Sequence, residues 1–407
     1  MATTALPAPL DQHRRTRFAL PGDPGWWTFC AAGSLALAVF TSLGPHRVWG
    51  AAGALGYAAA AVLAVRGRPA LIVGVAAVTG AVVLPLVVLL AVDRAQLEVE
   101  VVARSAALLL ADGTPYTAHP LIPEDFNPYL PGMAAFGLPE AVAGSGPLTD
   151  PRLWMGAAFL AACAYALPTG SRREPLLWVA ACPLLALPLA VGGVDLPVVG
   201  LMCLGLAEAG RGRGGRAGLW LGLAAALKWT AWPALPVALA LLAAGSAGDR
   251  CRAGLRCAFV ALLTAAALVL PAAWRDPGAF HAHVIAFPLG LADAVSSAAS
   301  PLPGQLLATH VPGGRTPALG LLGASALLVA VSLLVRPPAT ATATATATAP
   351  DAALRLAVGL LLAIAFLPAT RFGYLVHPLV LAVWAAVVRQ RPVDAPVFVR
   401  IQKKATR

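Results

Sequence analysis

Charge is scarce in this chain. Lys and Arg number 29 and Asp and Glu 18 among 407 residues, so only 12% of positions are charged against 59% apolar. With a mean hydropathy of +0.78 and repeated stretches longer than about 18 apolar residues, a soluble globular enzyme is excluded and a polytopic membrane protein indicated. The six cysteines, Cys30, Cys163, Cys182, Cys203, Cys251 and Cys257, lie in or beside apolar segments with no CxxC pair and no metal-ligand spacing. That pattern fits small buried apolar residues rather than disulfides or a metal centre. A nucleotide-binding glycine signature is missing too: the glycine-rich run 210–215 has neither the preceding strand nor the following Lys-Ser/Thr that a phosphate-binding loop needs. There is no internal repeat and no sign of a second, soluble domain. The basic run 13–17 precedes the first span by several residues without a convincing cleavage site, so residues 1–26 are expected to be an uncleaved cytoplasmic tail.

What is present is a succession of apolar spans, at about 27–44, 50–66, 71–92, 153–168, 175–191, 196–209, 256–273, 318–335, 354–368 and 373–389. As one helix, residues 217–243 would bury Lys228 near the middle and put Arg250, Arg252 and Arg256 on the outer face. Two short helices turning near Lys228, with Pro233 and Pro236 as breakers, avoid both. The count becomes about twelve membrane segments in one all-α domain over 27–389, with both tails, 1–26 and 390–407, in the cytoplasm. This arrangement leaves most of the 29 cations inside and most of the 18 carboxylates outside, as the positive-inside bias requires. The net charge of +11 is thereby accounted for without nucleic acid. The expected outer face carries the long loops 93–152 and 274–317, the turn 192–195, the Lys228 turn and residues 369–373. The Ala-Thr repeat in 337–350 is expected to be a disordered cytoplasmic linker.

The chemistry is expected on that outer face, where the carboxylates concentrate. Glu98 and Glu100 sit two apart in a segment with helical character, about 200° apart around the axis, so at most one points into a site. Arg104, four beyond Glu100, is expected to pair with it and leave Glu98 freer. The aromatic, proline-stiffened stretch around Tyr116, Asp125, Asn127 and Tyr129 suits sugar rings or lipid headgroups equally well. Asp195 is a cap or a site carboxylate, and Lys228 a snorkelling or a functional cation. Arg371, Tyr374 and His377, spaced i, i+3, i+6, share a helix face, and with Lys228 would form an electropositive rim suited to phosphate. His281 and His283 lack the i, i+4 spacing of a helical metal pair.

Several of these segments together resemble the actinobacterial branch of glycosyltransferase family 87, of the GT-C class. They are Gln96-x-Glu98-Val99 with Arg104-Ser105, Gly113-Thr114-Pro115-Tyr116, Asn127-Pro128-Tyr129-Leu130-Pro131-Gly132, the break at Lys228 and Trp232, Phe287-Pro288-Leu289-Gly290, and Thr370-Arg371-Phe372-Gly373-Tyr374. The resemblance covers about residues 90–385 and implies a polytopic enzyme that moves a sugar, mannose foremost, from a polyprenyl phosphate to a glycolipid or glycan hydroxyl, with inversion. It implies Glu98 as the base, with Glu100 beside it. Lys228, Arg371, His377 and Arg104 would serve the donor phosphate, and Tyr116, Asp125, Asn127, Tyr129, Asp195 and Tyr374 the substrates. No metal or other cofactor is required, and membrane lipids are the remaining partners. A secondary transporter, a lipid flippase and a non-catalytic relative of the enzyme are the alternatives. A transporter or flippase would favour internal repeats and charge at the bilayer midplane.

Overall fold

Long apolar runs can satisfy their backbone in a bilayer only by internal hydrogen bonds, and among the described residues every regular element is helical. The sole β contact among those residues is an isolated parallel bridge between Ala299 and Thr370. The computed structural model describes residues 22–168, 174–243, 250–289, 291–292, 294, 298–335 and 348–389. The chain starts with α1 (Pro24–Phe40), α2 (Gly44–Val65) and α3 (Ala70–Ala91, with one wide turn at Thr79–Val83). These three form a side bundle around Trp27, Trp49 and Tyr57. Next come α4 (Leu97–Asp112), α5 (Leu138–Ala143), α6 (Pro151–Ala166), α7 (Glu174–Ala181), α8 (Pro183–Val191), α9 (Asp195–Gly210), α10 (Gly214–Leu227) and α11 (Ala234–Ala243). The last are α12 (Arg250–Arg275), α13 (Pro303–His310), α14 (Arg315–Leu334), α15 (Ala349–Phe366) and α16 (Val376–Arg389). The main core joins the buried faces of α6, α9, α10, α11, α15 and α16.

Among the described residues six helices are long and apolar enough to cross a membrane, or seven if α8 and α9, bent by 120° at residues 192–194, form one broken span. The chain is thus an all-α membrane protein. The expected span 175–191 is interrupted at Cys182, because Pro183 opens α8 and cannot continue the hydrogen-bond ladder of α7. The expected linker 337–350 and the tail 390–407 lie almost wholly or wholly outside the described residues.

Residues 217–243 do break at Lys228, which has extended backbone (φ −159°, ψ 147°) between α10 and a short turn at Trp229–Ala231. Helix packing fixes the direction in which the chain leaves this break. Gly214, Gly218 and Gly222, one per turn of α10, face Ala253, Cys257 and Ala261 of α12, in the same order along both helices. α10 and α12 therefore run parallel, and the chain must return between them through α11. A Cβ on Gly218 would stand 2.4 Å from the Cys257 carbonyl oxygen, so this stripe of small residues sets the helix separation, as it does at many membrane helix crossings. Gly218→Leu is expected to cost roughly 3 kcal/mol through overpacking, read as a lowered unfolding temperature in detergent. An unchanged Tm would count against the parallel pairing.

The loop 93–152 is a folded excursion with its ends tied. Arg152, buried and bonded to Asp150 at 2.6 Å, donates to the Arg94 carbonyl at 2.9 Å. Within it α4 turns Val99, Val101 and Val102 into the core and stops at Gly113, whose φ of 74° is a left-handed C-cap.

Candidate active site

Four chain reversals meet at one end of the bundle. The turn before α9 uses Gly192 at φ 100°, where a Cβ would strike Val99 at 2.3 Å. Its carbonyl accepts from the Gln96 side-chain amide, which ties the first turn of α4 to the start of α9. Asp195 opens α9, Lys228 follows the end of α10, and Arg371 and His377 flank the short turn Phe372–Leu375 that leads into α16. α9 and α10 are antiparallel neighbours, so the first residue of one and the residue after the other lie side by side.

The inner part of the site is closed. Lys228 Nζ bonds Asp195 Oδ1 at 2.6 Å, with both residues buried. The ammonium also stands 4.6 Å from the ring centre of Tyr374 and 5.5 Å from that of Tyr129, cation–π distances that hold it without further anions. His377, fully buried, places Nε2 3.0 Å from Thr230 Oγ1 and 3.6 Å from Asp195 Oδ1. Its Nδ1 is 3.2 Å from the Tyr374 carbonyl oxygen, which can only accept, so Nδ1 carries the proton. Two charges so deeply placed cost several kcal/mol each in desolvation, repaid only by close pairing and added hydrogen bonds.

The outer part is more open. Arg371 bonds Glu98, with side-chain exposures of 34% and 21%. Tyr129 lies within electrostatic reach of Glu98, Asp195 and Arg371, so both ion pairs belong to one cluster. Of the expected site residues, Glu98, Asp195, Lys228, Tyr129, Arg371, Tyr374 and His377 come together here. Glu100 is exposed on the other side of α4. The expected Arg104–Glu100 pair does not form: Arg104 Nη2 donates instead to the carbonyls of Glu124 at 2.7 Å and Asp125 at 3.2 Å. The reason is that the loop folds back over α4 and offers two aligned acceptors. Glu98 is accordingly the carboxylate with a cation, not the freer one, and Lys228 is a buried partner of Asp195 rather than part of an exposed rim.

Tyr116, Asp125 and Asn127 hold the loop in shape. Asn127 donates to Ser105 Oγ at 2.9 Å and the Pro115 carbonyl at 3.3 Å, and accepts from the Tyr129 amide at 3.0 Å. The Tyr116 hydroxyl donates to the Tyr129 carbonyl at 2.9 Å, and burial pushes its pKa up. The Asp125 carboxylate accepts from the amides of Leu121 and Ile122, which hold its pKa below 3.8.

Sequence reasoning missed the parts played by Thr230 and His283. The ring of His283 lies between Tyr116 and Phe126, with centroids at 5.3 Å. Its Nδ1 accepts from the Asn127 amide at 2.9 Å, and Nε2 contacts the Thr117 carbonyl at 2.8 Å. It is thus neutral, with Nε2 protonated, and burial lowers its pKa below 6.5. The only signal in the sequence was a histidine among aromatic neighbours. Because the folded state binds fewer protons than the unfolded one, stability is present above pH 6.5 and is lost as pH falls through the depressed value. Amide hydrogen exchange, corrected for intrinsic rates, should show protection of residues 116–129 decreasing from pH 7 to 5. Flat protection would contradict the neutral clamp.

Among the described residues no three His, Cys, Asp or Glu are grouped to hold a metal ion. Comparison with known proteins finds no matching family model, no matching curated protein and no matching solved structure.

Proposed function

We propose that the protein is a membrane glycosyltransferase of GT-C type, with twelve membrane segments, cytoplasmic termini and an outward-facing site. In this account it moves a sugar, mannose foremost, from a polyprenyl phosphate to a hydroxyl of a glycolipid or glycan. The observation that carries it is the single cluster of Glu98–Arg371 and Asp195–Lys228 pairs with Tyr129, Tyr374 and His377 at one end of an apolar bundle. Ionisable groups are costly at such depth and are by default functional. Arg371 offers a fork of donors to a phosphate. When the donor phosphate takes over that fork, the Glu98 carboxylate is released to accept the acceptor hydroxyl proton. The acceptor oxygen bonds to the anomeric carbon as the bond to the phosphate oxygen breaks. The departing polyprenyl phosphate keeps that electron pair, its charge facing Arg371 and, deeper, the Lys228 ammonium.

Arg371→Ala tests the phosphate contact. Loss of a charge-assisted hydrogen bond of roughly 1.5–3 kcal/mol should raise the donor KM about 10-fold or more. Unchanged donor KM and kcat would remove Arg371 from the site. The buried Asp195–Lys228–His377 group beside the 120° helix break also suits a proton-coupled transporter. Substrate uptake into proteoliposomes without sugar transfer would favour that second assignment.

A further inference from the structure

The end of the bundle away from the cluster holds a second, unrelated concentration of charge. α10 spans 14 residues, so its start lies about 20 Å from Lys228. There a cavity of about 440 Å³ is lined by Arg213, Arg216, Arg252 and Arg256, with Gly212, Gly214, Gly215 and Ala253. Its lining includes no acidic side chain. The nearby Glu208 carboxylate is shared by Arg211 at 2.8 Å, Arg216 at 3.4 Å and Arg213 at 3.5 Å. Arg252 and Arg256 are exposed and make no ion pair among the described residues.

The backbone adds to the same sign. Because α10 and α12 run parallel, their N-terminal turns lie side by side at this cavity, with Gly214 against Ala253. Neither first turn carries an acidic residue, and α10 has no side-chain cap. Asp249 directly precedes α12 in the sequence, so the uncapped positive end is that of α10; together with a surplus of guanidiniums around one concavity it favours an anion there. A scatter of solvated arginines at a membrane edge would satisfy the positive-inside bias without converging in this way.

We infer that this arginine-lined cavity binds a phosphate-bearing anion, either the headgroup of an anionic phospholipid or a soluble phosphate compound. Guanidinium forks match phosphate oxygens in pairs, the glycines leave room for approach to the backbone, and the volume exceeds what one bare phosphate fills. The assignment is independent of the proposed transfer reaction.

The test uses the full chain, delipidated in detergent and followed by native mass spectrometry. It is titrated in separate arms with phosphatidylglycerol, phosphatidylcholine and pyrophosphate. Arg252→Gln with Arg256→Gln removes two exposed arginines from the cavity. Arg66→Gln with Arg68→Gln removes two exposed arginines elsewhere and controls for net charge. The cavity pair should weaken phosphatidylglycerol binding at least 10-fold while the control pair leaves it unchanged and phosphatidylcholine stays weak. The same pattern with pyrophosphate but not with the lipid would assign the site to a soluble phosphate. Equal effects of both variant pairs, or none from either, would overturn the proposal.

Discussion

Glu98→Gln is expected to lower turnover by roughly 100-fold or more, the scale of a lost general base, while the donor KM stays the same or falls. The Glu98 carboxylate is half-buried, at the entrance to the cluster, and bonded to Arg371. Glutamine keeps the shape and a hydrogen bond to the guanidinium but cannot take a proton. If Glu98 were only the counter-ion of Arg371, freeing that cation would change donor binding and leave kcat nearly intact. Glu100→Gln, on the exposed side of α4, should stay near wild type. Full activity in Glu98→Gln would exclude it as the base.

Lys228→Met is expected to be the most damaging single change to the fold. It leaves the Asp195 carboxylate buried without its cation, a loss of about 3–5 kcal/mol. Lys228→Met with Asp195→Leu replaces the pair by apolar groups and should recover most of that stability, since buried pairs are often no better than well-packed hydrophobes. Sugar transfer should not return with it. Thermal unfolding in detergent and turnover, measured on the single and double variants, separate the structural from the functional contribution. A single variant as stable as wild type would contradict the buried pairing.

Helical spacing alone showed that Glu98 and Glu100 face apart, and the run from residue 97 does form a helix, so the choice between them could be framed without coordinates. Arg104 could not be placed that way. Its true acceptors are carbonyls 20 and 21 residues downstream, and i, i+4 spacing cannot foresee a loop that folds back. The Asp195–Lys228 pair bridges 33 residues and depends on the α9–α10 hairpin. Each residue was conspicuous in its apolar surroundings, yet neither spacing nor composition joined them. The break at Lys228 was legible because a lysine, two tryptophans and two prolines interrupt an apolar run. The parallel pairing that requires the return is carried by Gly214, Gly218 and Gly222, a period of four of which only Gly214 falls in the glycine-rich run 210–215. Asn127 shows the opposite case: a polar residue in an aromatic loop suggests a ligand, and its hydrogen bonds are used within the loop.

The most direct measurement is sugar transfer in membranes from cells expressing the full chain, supplied with radiolabelled polyprenyl-phosphate mannose, glucose or arabinose. Label should pass to a glycolipid or glycan product from one of these donors, and Glu98→Gln present at the same level should lose it. Membranes that transfer no label from any of the three, or that transfer it equally with Glu98→Gln, would contradict the account.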